Sequence, residues 1–372
     1  MRIHIIRMQA QPIIFLLPRL TANIACAILT WDAQNARTSD MTMSREMSAN
    51  MIKLINMTTD PCDLERFDGA DDLRAFVRGH GMDGLEIMPI GGDALGWIPR
   101  GMAMGIHLSY VNSWYDAYMG DEAAVCAEYG SLAEAERIMG GAARGMAKRL
   151  RVQLDFCKSI GARYVVYHMG NISLRETLTC RFEHDHARVI DAALEIVNAA
   201  MHGGDYDFWF LMENLWGPGF TFTRPDITSA MLDGVEYPRK GIMLDVGHLM
   251  HADMHIDTAA QGIAWVHRWL DAHGELCRSI RGVHLHCGAS GAFLRELSAD
   301  PPQPKGTYFE RLCAVYESVL RLDPHVPLLD NGARELIERI APEFLTYEFI
   351  TRDRAQHSEY IRAQNAALGY SL

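Results

Sequence analysis

The sequence predicts an α/β protein, a (β/α)8 barrel preceded by an N-terminal extension. Two observations predict this fold. From residue 51 onward, short β-branched or apolar runs alternate with segments whose apolar residues recur at helical spacing, and this alternation is typical of parallel strand–helix units. Eight such runs fit between residues 51 and 372, and eight units of this kind form a barrel.

The predicted strands are the short apolar or β-branched runs between the helical segments. In chain order they are Lys53–Met57, Gly84–Met88, Gly105–Ser109, Arg163–His168, Phe208–Glu213, Gly241–Asp245, Gly282–Cys287 and Leu345–Ile350. Only a short stretch containing Gly91, Gly92 and Pro99 separates the second strand from the third. We therefore expect the helix of the second unit to be missing or very short.

Helical periodicity predicts the segments between the other strands. They are Asp71–Gly79, Ser131–Ile160, Asp185–His202, Thr258–Cys277, Tyr308–Leu320, Arg334–Ile340 and Asp353–Leu368. Ser131 and Glu134 have the spacing of a capping box at the start of the long second helix. The aromatic segment Tyr110–Ser131 is predicted to cover a pocket, to form a subunit contact or to build a small satellite core.

Residues 1–50 differ from the rest and are predicted to be a poorly ordered N-terminal extension or not to belong to the native protein. Two apolar bursts, Ile13–Leu17 and Ala22–Thr30, are separated by Pro18 and Arg19. A signal peptide is the alternative, but Arg19 inside the apolar region weakens that pattern. Residues 51–372 are then the barrel domain.

Composition and charge exclude several classes of protein. Hydrophobic residues make up 49% and charged residues 22%, as in ordinary globular proteins. The net charge of −12 makes a nucleic-acid partner unlikely, because such a surface needs a basic excess. Eight scattered cysteines without a CxxC motif indicate reduced thiols and a cytoplasmic location. No apolar run is long enough for a membrane span.

Metal-ligand residue types stand at the ends of six successive predicted strands. They are His107, His168, Glu213, Asp245 with His248, His284 with His286, and Glu348. In such barrels the carboxyl ends of the strands meet at one mouth, where the chemistry takes place. Buried ionisable groups without partners are costly, so a cation is expected among them. Carboxylates and imidazoles suit Mn²⁺, Mg²⁺, Co²⁺, Zn²⁺ or Fe.

These motifs resemble the xylose-isomerase-like TIM barrel superfamily, which includes sugar phosphate isomerases and epimerases and endonuclease IV. The resemblance covers about Met51 to Leu368 and is carried by Tyr-His168-Met-Gly, Met-Glu213-Asn, Leu-Asp245-Val-Gly-His248, Arg-Gly-Val-His284-Leu-His286 and Tyr-Glu348-Phe. It implies a divalent metal held by Glu213, Asp245, His284 and Glu348. The nuclease branch implies further metal ligands, which match His107, His168 and His248.

That nuclease branch also carries an Asp-x-His pair after the seventh strand. Here the segment Gly288–Gly306 contains Asp300 but no histidine, so a complete three-metal site is not expected. His251, Asp253 and His255 are the available substitutes. We expect them instead to be solvated residues of a loop at the start of a helix.

The predicted function is a metal-dependent sugar or sugar phosphate isomerase or epimerase. The metal would stabilise an enediolate, while Glu213 and Glu348 donate and accept the proton. Asp245 and His284 would hold the metal. The substrate-binding candidates are His248, His286, Asn214, Trp216 and Lys305. The expected partner is a small carbohydrate, and a homo-oligomer is compatible with the sequence.

Two alternatives stay open. One is an endonuclease IV-like phosphodiesterase, which His107 and His168 favour and the acidic charge disfavours. The other is a di-iron barrel oxidase or accessory protein, because a fold alone does not settle an activity. The metal found after purification discriminates among the three: exchangeable Mn²⁺ or Co²⁺ for the isomerase, zinc for the nuclease and coloured iron for the oxidase.

Overall fold

Eight parallel strands close into one barrel in chain order in the computed structural model. The structure describes residues 51–90, 97–99 and 101–370, so the predictions for residues 1–50 lie outside it. The strands are β1 Ile52–Thr58, β2 Gly84–Met88, β3 Ala103–His107, β4 Tyr164–His168, β5 Trp209–Glu213, β6 Lys240–Asp245, β7 Ile280–Leu285 and β8 Phe344–Tyr347. The predicted barrel is confirmed, and each predicted strand overlaps an observed one.

The first half of the barrel carries several short helices. They are α1 Pro61–Leu64, α2 Ala70–Gly79, α3 Tyr115–Met119, α4 Glu122–Tyr129, α5 Leu132–Ile138, α6 Met146–Ile160, α7 Leu174–Thr179 and α8 His186–Met201. Among the described residues, no α-helix separates β2 from β3, but residues 91–96 and 100 of this connection lie outside the described residues. The aromatic segment forms a satellite core, in which Tyr129 packs on Tyr308 with ring centroids 4.7 Å apart.

The second half carries α9 Pro225–Gly234, α10 Val246–His251, α11 Ala259–His273, α12 Gly291–Ala299, α13 Tyr308–Leu322, α14 Gly332–Ile340 and α15 Arg354–Ala367. The helices α12 and α13 both lie between β7 and α14. This unit is therefore longer than a single strand–helix unit. The described helices include none with the length and apolarity that a membrane crossing requires.

The prediction of one helix over Ser131–Ile160 is wrong. Helix α5 ends at Ile138 and α6 begins at Met146, because Gly140 and Gly141 between them adopt φ values of +70° and +132°. These values lie outside the right-handed helical region, and glycine adopts them at little cost. The predicted capping box is half formed: the Ser131 hydroxyl accepts from the Glu134 main-chain N–H at 3.1 Å.

Two apolar layers hold the strands in place. The larger lies between the strands and the surrounding helices and includes Val283 and Leu285. The smaller fills the barrel interior and includes Tyr164 and Phe344. Gly105 leaves room for this layer, because a Cβ at that position would overlap the Tyr164 ring. Successive side chains of a strand point to opposite faces of the sheet. Val283 and Leu285 of β7 point outward to the helices, so His284 and His286 point toward the mouth, as predicted.

Buried His357 on α15 makes stability depend on pH. Burial, with smaller contributions from Arg66 and His80, lowers its pKa from 6.5 to about 3. The unfolded chain therefore binds a proton below about pH 6.5 that the folded chain does not, so stability falls as the pH falls toward 3. We expect the unfolding free energy of the metal-free protein to drop by about 2 kcal/mol more than that of His357→Gln between pH 7 and pH 5. Urea titrations at both pH values measure this, and equal drops would contradict it.

Candidate metal centre

The carboxyl ends of β3 to β8 bring the predicted metal-ligand residues to one mouth of the barrel. The strand register aligns them, since His168 on β4 pairs with Glu213 on β5 and Asp245 on β6 pairs with His284 on β7. Glu348 directly follows β8. All of these residues are at most 9% exposed. The structure therefore brings these side chains together at one mouth of the barrel, as the sequence predicted.

Glu213 joins two clusters of donor atoms. Its Oε2 lies 3.1 Å from Nε2 of His107 and 3.1 Å from Nε2 of His168, and these three residues form the first cluster. Its Oε1 lies 3.2 Å from Nδ1 of His284. With Asp245, His284 and Glu348 it forms the second cluster, whose ligand atoms lie within 4.8 Å of one another. One carboxylate therefore belongs to two neighbouring candidate metal sites.

A third cluster consists of His248, His286, Asp323 and His325. Asp323 Oδ2 lies 2.9 Å from Nε2 of His325 and 3.3 Å from Nε2 of His248. Asp323-Pro-His325 is the Asp-x-His pair that the sequence analysis did not find. The expectation that this pair is missing is therefore wrong, because Asp323 and His325 lie at the mouth together with His248 and His286.

The inserted helices explain why the pair was missed. Helices α12 and α13 separate it from the end of β7, so it lies beyond the segment Gly288–Gly306 that was searched. The chain then returns to β7 through an antiparallel bridge between Cys287 and Val326. The Asp-Pro-His sequence itself could have been noticed. Only the bridge between Cys287 and Val326 reveals that this sequence lies beside the end of β7.

Four of the candidate ligand histidines form a polar contact through the ring nitrogen that does not face their cluster. In three of them Nδ1 donates to a main-chain carbonyl at 3.0–3.1 Å: Leu108 for His107, Asn214 for His248 and Glu348 for His325. In His284, Nε2 instead faces Glu86 at 2.9 Å. Metal-binding histidines show this arrangement, because the outer hydrogen bond fixes the tautomer and the ring orientation.

Glu86 on β2 is a buried carboxylate that the sequence analysis missed. It accepts hydrogen bonds from the Tyr164 hydroxyl at 2.6 Å and the Thr346 hydroxyl at 3.0 Å, in addition to its contact with His284. Its position fits a carboxylate–histidine–metal triad. The signal was a lone glutamate in an otherwise apolar strand.

Five carboxylates are buried at this mouth. They are Glu86, Glu213, Asp245, Asp323 and Glu348, and their ion-pair partners among the described residues are all histidines. Burying so much negative charge requires either protonated imidazoles or bound cations. Three buried atoms, Nδ1 of His168, Nδ1 of His286 and Oε2 of Glu348, have no hydrogen-bond partner. Unpaired nitrogen and oxygen atoms in a group of imidazoles and carboxylates are suitable ligands for divalent metal ions.

The carboxylates and imidazoles shift one another's pKa values. Burial opposes ionisation of Glu213, but His168 and His284 outweigh it and hold its pKa well below the usual range. Burial would lower the pKa of His325, but Asp323 raises it to about 9. Without metal, His325 therefore carries a proton at neutral pH. A metal ion that bound to His325 would have to displace that proton, so we expect its binding to strengthen as the pH rises toward 9.

The predicted substrate-binding residues have different environments. Trp216 stands beside the third cluster, with its ring centroid 5.1 Å from that of His248. Asn214 donates to the main-chain oxygen of Asp245 at 3.0 Å and accepts from its N–H at 2.9 Å, which favours a role in positioning Asp245. Lys305 is exposed in the loop between α12 and α13. His248 and His286 lie within the third cluster.

His251 also differs from expectation. It is 4% exposed on α10 rather than solvated, and its Nε2 lies 3.1 Å from Asp323 Oδ1. Its Nδ1 faces the Ser290 hydroxyl at 3.3 Å. His251 therefore supports Asp323 from outside the cluster, whereas His255 is exposed as predicted.

Comparison with known proteins places this architecture in a family. The sequence model of the xylose isomerase-like TIM barrel family matches residues 75–294. A search of curated proteins finds no match.

The chain is similar to several solved structures at low sequence identity. Endonuclease IV from Thermus thermophilus is 14% identical, with 86% of this chain and 99% of that chain covered and a TM-score of 0.48. A D-tagatose 3-epimerase-like protein is 14% identical, with 86% and 98% covered and a TM-score of 0.42. A xylose isomerase-like TIM barrel protein from Mycobacterium smegmatis in complex with magnesium is 15% identical, with 87% and 99% covered and a TM-score of 0.39.

Proposed function

Because the chain belongs to the xylose isomerase-like TIM barrel family, which includes sugar epimerases and endonuclease IV, we propose that it is a metal-dependent phosphodiester hydrolase. The observation that carries the proposal is the joining of three donor clusters at one mouth, with Glu213 shared by the first two. A shared carboxylate holds two cations close together, and paired cations are typical of enzymes that cleave phosphate esters.

Bound divalent ions would supply a water of lowered pKa and positive charge for the phosphate oxygens. The chain itself supplies the frame. Both Glu213 oxygens face imidazoles, so Glu213 is held rigidly. Glu348 is 9% exposed, whereas Glu213 and Asp245 are 0% exposed. Its Oε2 makes no hydrogen bond, and the imidazole nitrogen nearest to it is Nδ1 of His284, at 3.2 Å. We therefore assign proton acceptance from the attacking water to Glu348.

The sugar isomerase or epimerase stays the second candidate, because the second cluster contains the two carboxylates that its chemistry needs. Two observations favour the hydrolase over it. The isomerase gives no role to His107, His168, Asp323 and His325. It also requires Glu213 to move a proton, although His107 and His168 contact one of its oxygens and His248 and His284 the other.

Parallel assays decide between these candidates. The protein is stripped of metal, loaded with Zn²⁺ or Mn²⁺, and tested with bis-p-nitrophenyl phosphate, with duplex DNA containing an abasic site, and with a panel of ketoses and their phosphates. We expect cleavage of a phosphodiester and no sugar conversion. Cleavage of the small diester alone would agree with the predicted lack of nucleic-acid partners. Epimerisation of a sugar without diester cleavage would overturn the proposal.

A further inference from the structure

Trp216 lies in the connection after β5 and is half-buried at the mouth of the barrel. Its ring centroid is 5.1 Å from that of His248 and 5.2 Å from that of His251, so the indole stands beside the third cluster. It also packs on apolar side chains of helices α7, α12 and α13, which are Leu178, Leu294, Leu297, Val315 and Leu322. The indole is therefore held between the third cluster and these helices, while part of its surface stays exposed.

Helix α13 runs along the mouth from the side of β3 to the side of β7. These two strands lie opposite each other, because the eight strands close in chain order. At the start of α13, Tyr308 packs on Tyr129 of the connection after β3. Its last residue, Leu322, directly precedes Asp323 of the third cluster. A helix of 15 residues is about 22 Å long. Together with α7 and α12, which pack on it, this helix forms a wall along the mouth, the α13 wall.

The α13 wall restricts access to the three clusters. Every residue of these clusters is at most 9% exposed. Helices α4 and α5, which pack on α13, carry four glutamates and one arginine. A nucleic-acid duplex continues in both directions from any internal phosphate, so it would meet both the wall and this negative charge. A small diester meets neither.

We propose that Trp216 binds a planar substituent of a small phosphodiester by stacking, and that the α13 wall excludes duplex nucleic acid. The substrate is then an aryl or nucleoside diester with a single phosphodiester charge. Stacking on an aromatic side chain depends on a planar partner and contributes directly to affinity. This inference rests on the proposed function for the reaction and adds the size and shape of the substrate.

The competing role for Trp216 is to pack His248 against the wall, without contact to substrate. Two ligands of equal charge separate these roles, because diphenyl phosphate has planar substituents and diethyl phosphate has none. Their affinities for zinc-loaded wild type, Trp216→Leu and Trp216→Phe are measured by calorimetry, together with zinc per chain. Trp269→Leu is the matched control, since Trp269 is a half-buried tryptophan of α11, outside the strands.

We expect wild type and Trp269→Leu to bind diphenyl phosphate at least about tenfold more tightly than diethyl phosphate. Trp216→Phe should keep most of this preference, and Trp216→Leu should lose it while zinc per chain stays unchanged. A preference that survives in Trp216→Leu would overturn the inference, as would equal affinities or no binding in wild type. Loss of zinc from Trp216→Leu, with both ligands weakened equally, would also overturn it and assign the packing role.

Competition in wild type tests the α13 wall. A short duplex carrying an abasic site is added to the complex with diphenyl phosphate. We expect the duplex to leave the bound ligand in place, and displacement of the ligand would overturn the exclusion.

A photolabelling measurement on wild type decides the stacking if Trp216→Leu does not fold. A diester with an azidophenyl substituent is photolysed on the zinc-loaded protein, and the labelled peptide is identified by mass spectrometry. Labelling of Trp216 supports the inference, and labelling elsewhere overturns it. None of these readouts depends on diester cleavage, so a failure of the proposed function remains distinguishable.

Discussion

Glu213→Gln is expected to abolish phosphodiester cleavage while the barrel still folds. The amide keeps the size of the side chain but removes the charge that the first and second clusters share. Loss of one charge-stabilising group at an active site reduces turnover by about 10²–10³-fold. Because Glu213 serves two clusters, we expect a loss at the upper end of this range or beyond, together with weaker retention of two ions.

Turnover, metal content and far-UV circular dichroism of the same preparation measure this effect. Glu359→Gln is the matched control, since Glu359 is exposed on α15, and it should behave like wild type. A metal-loaded Glu213→Gln protein that cleaves diesters at the wild-type rate would contradict the assignment of Glu213 as the shared ligand.

Asp323→Asn is expected to remove the ion of the third cluster and the stability that this ion provides. Asp323 contacts His248, His251 and His325, so its charge holds the cluster together. A ligand that binds only the folded state at about 1,000 times its dissociation constant stabilises that state by about 4 kcal/mol. Zinc should therefore raise the unfolding free energy of wild type by about 4 kcal/mol more than that of Asp323→Asn.

Urea unfolding with and without zinc measures the difference. Asp300→Asn is the control, because Asp300 is an exposed aspartate of the same insertion and should retain the full effect of zinc. The isomerase hypothesis gives Asp323 no role. Equal stabilisation of wild type and Asp323→Asn by zinc would therefore exclude a metal at this cluster.

The sequence predicted the barrel well because its periodicity is local. Strand β2 was predicted with its observed bounds, and the helices over residues 186–201 and 354–367 were predicted to within one residue at each end. One exception was the Gly140–Gly141 break, where two residues outweighed a helical pattern on both sides. Positive φ at a glycine pair depends on how the flanking helices pack, and periodicity does not report it. Another exception was α9, Pro225–Gly234, which the helical periodicity did not predict.

The candidate site was predictable wherever a candidate ligand lies at the end of its strand. His107, His168, Glu213, Asp245, His284 and Glu348 all lie within one residue of the end of a strand, so strand order alone brings them together. Glu86 was missed because one charged residue in an apolar strand has no pattern to mark it. Asp323 and His325 were missed because α12 and α13 intervene.

By itself, the sequence determined that polar strand ends meet at one barrel mouth, because parallel strands all point the same way and alternation directs every second side chain inward. Only the tertiary structure decided how many clusters form there. The bridge between Cys287 and Val326 brings Asp323 and His325 back across the insertion. This bridge is a contact between segments far apart in the chain, which no local pattern encodes.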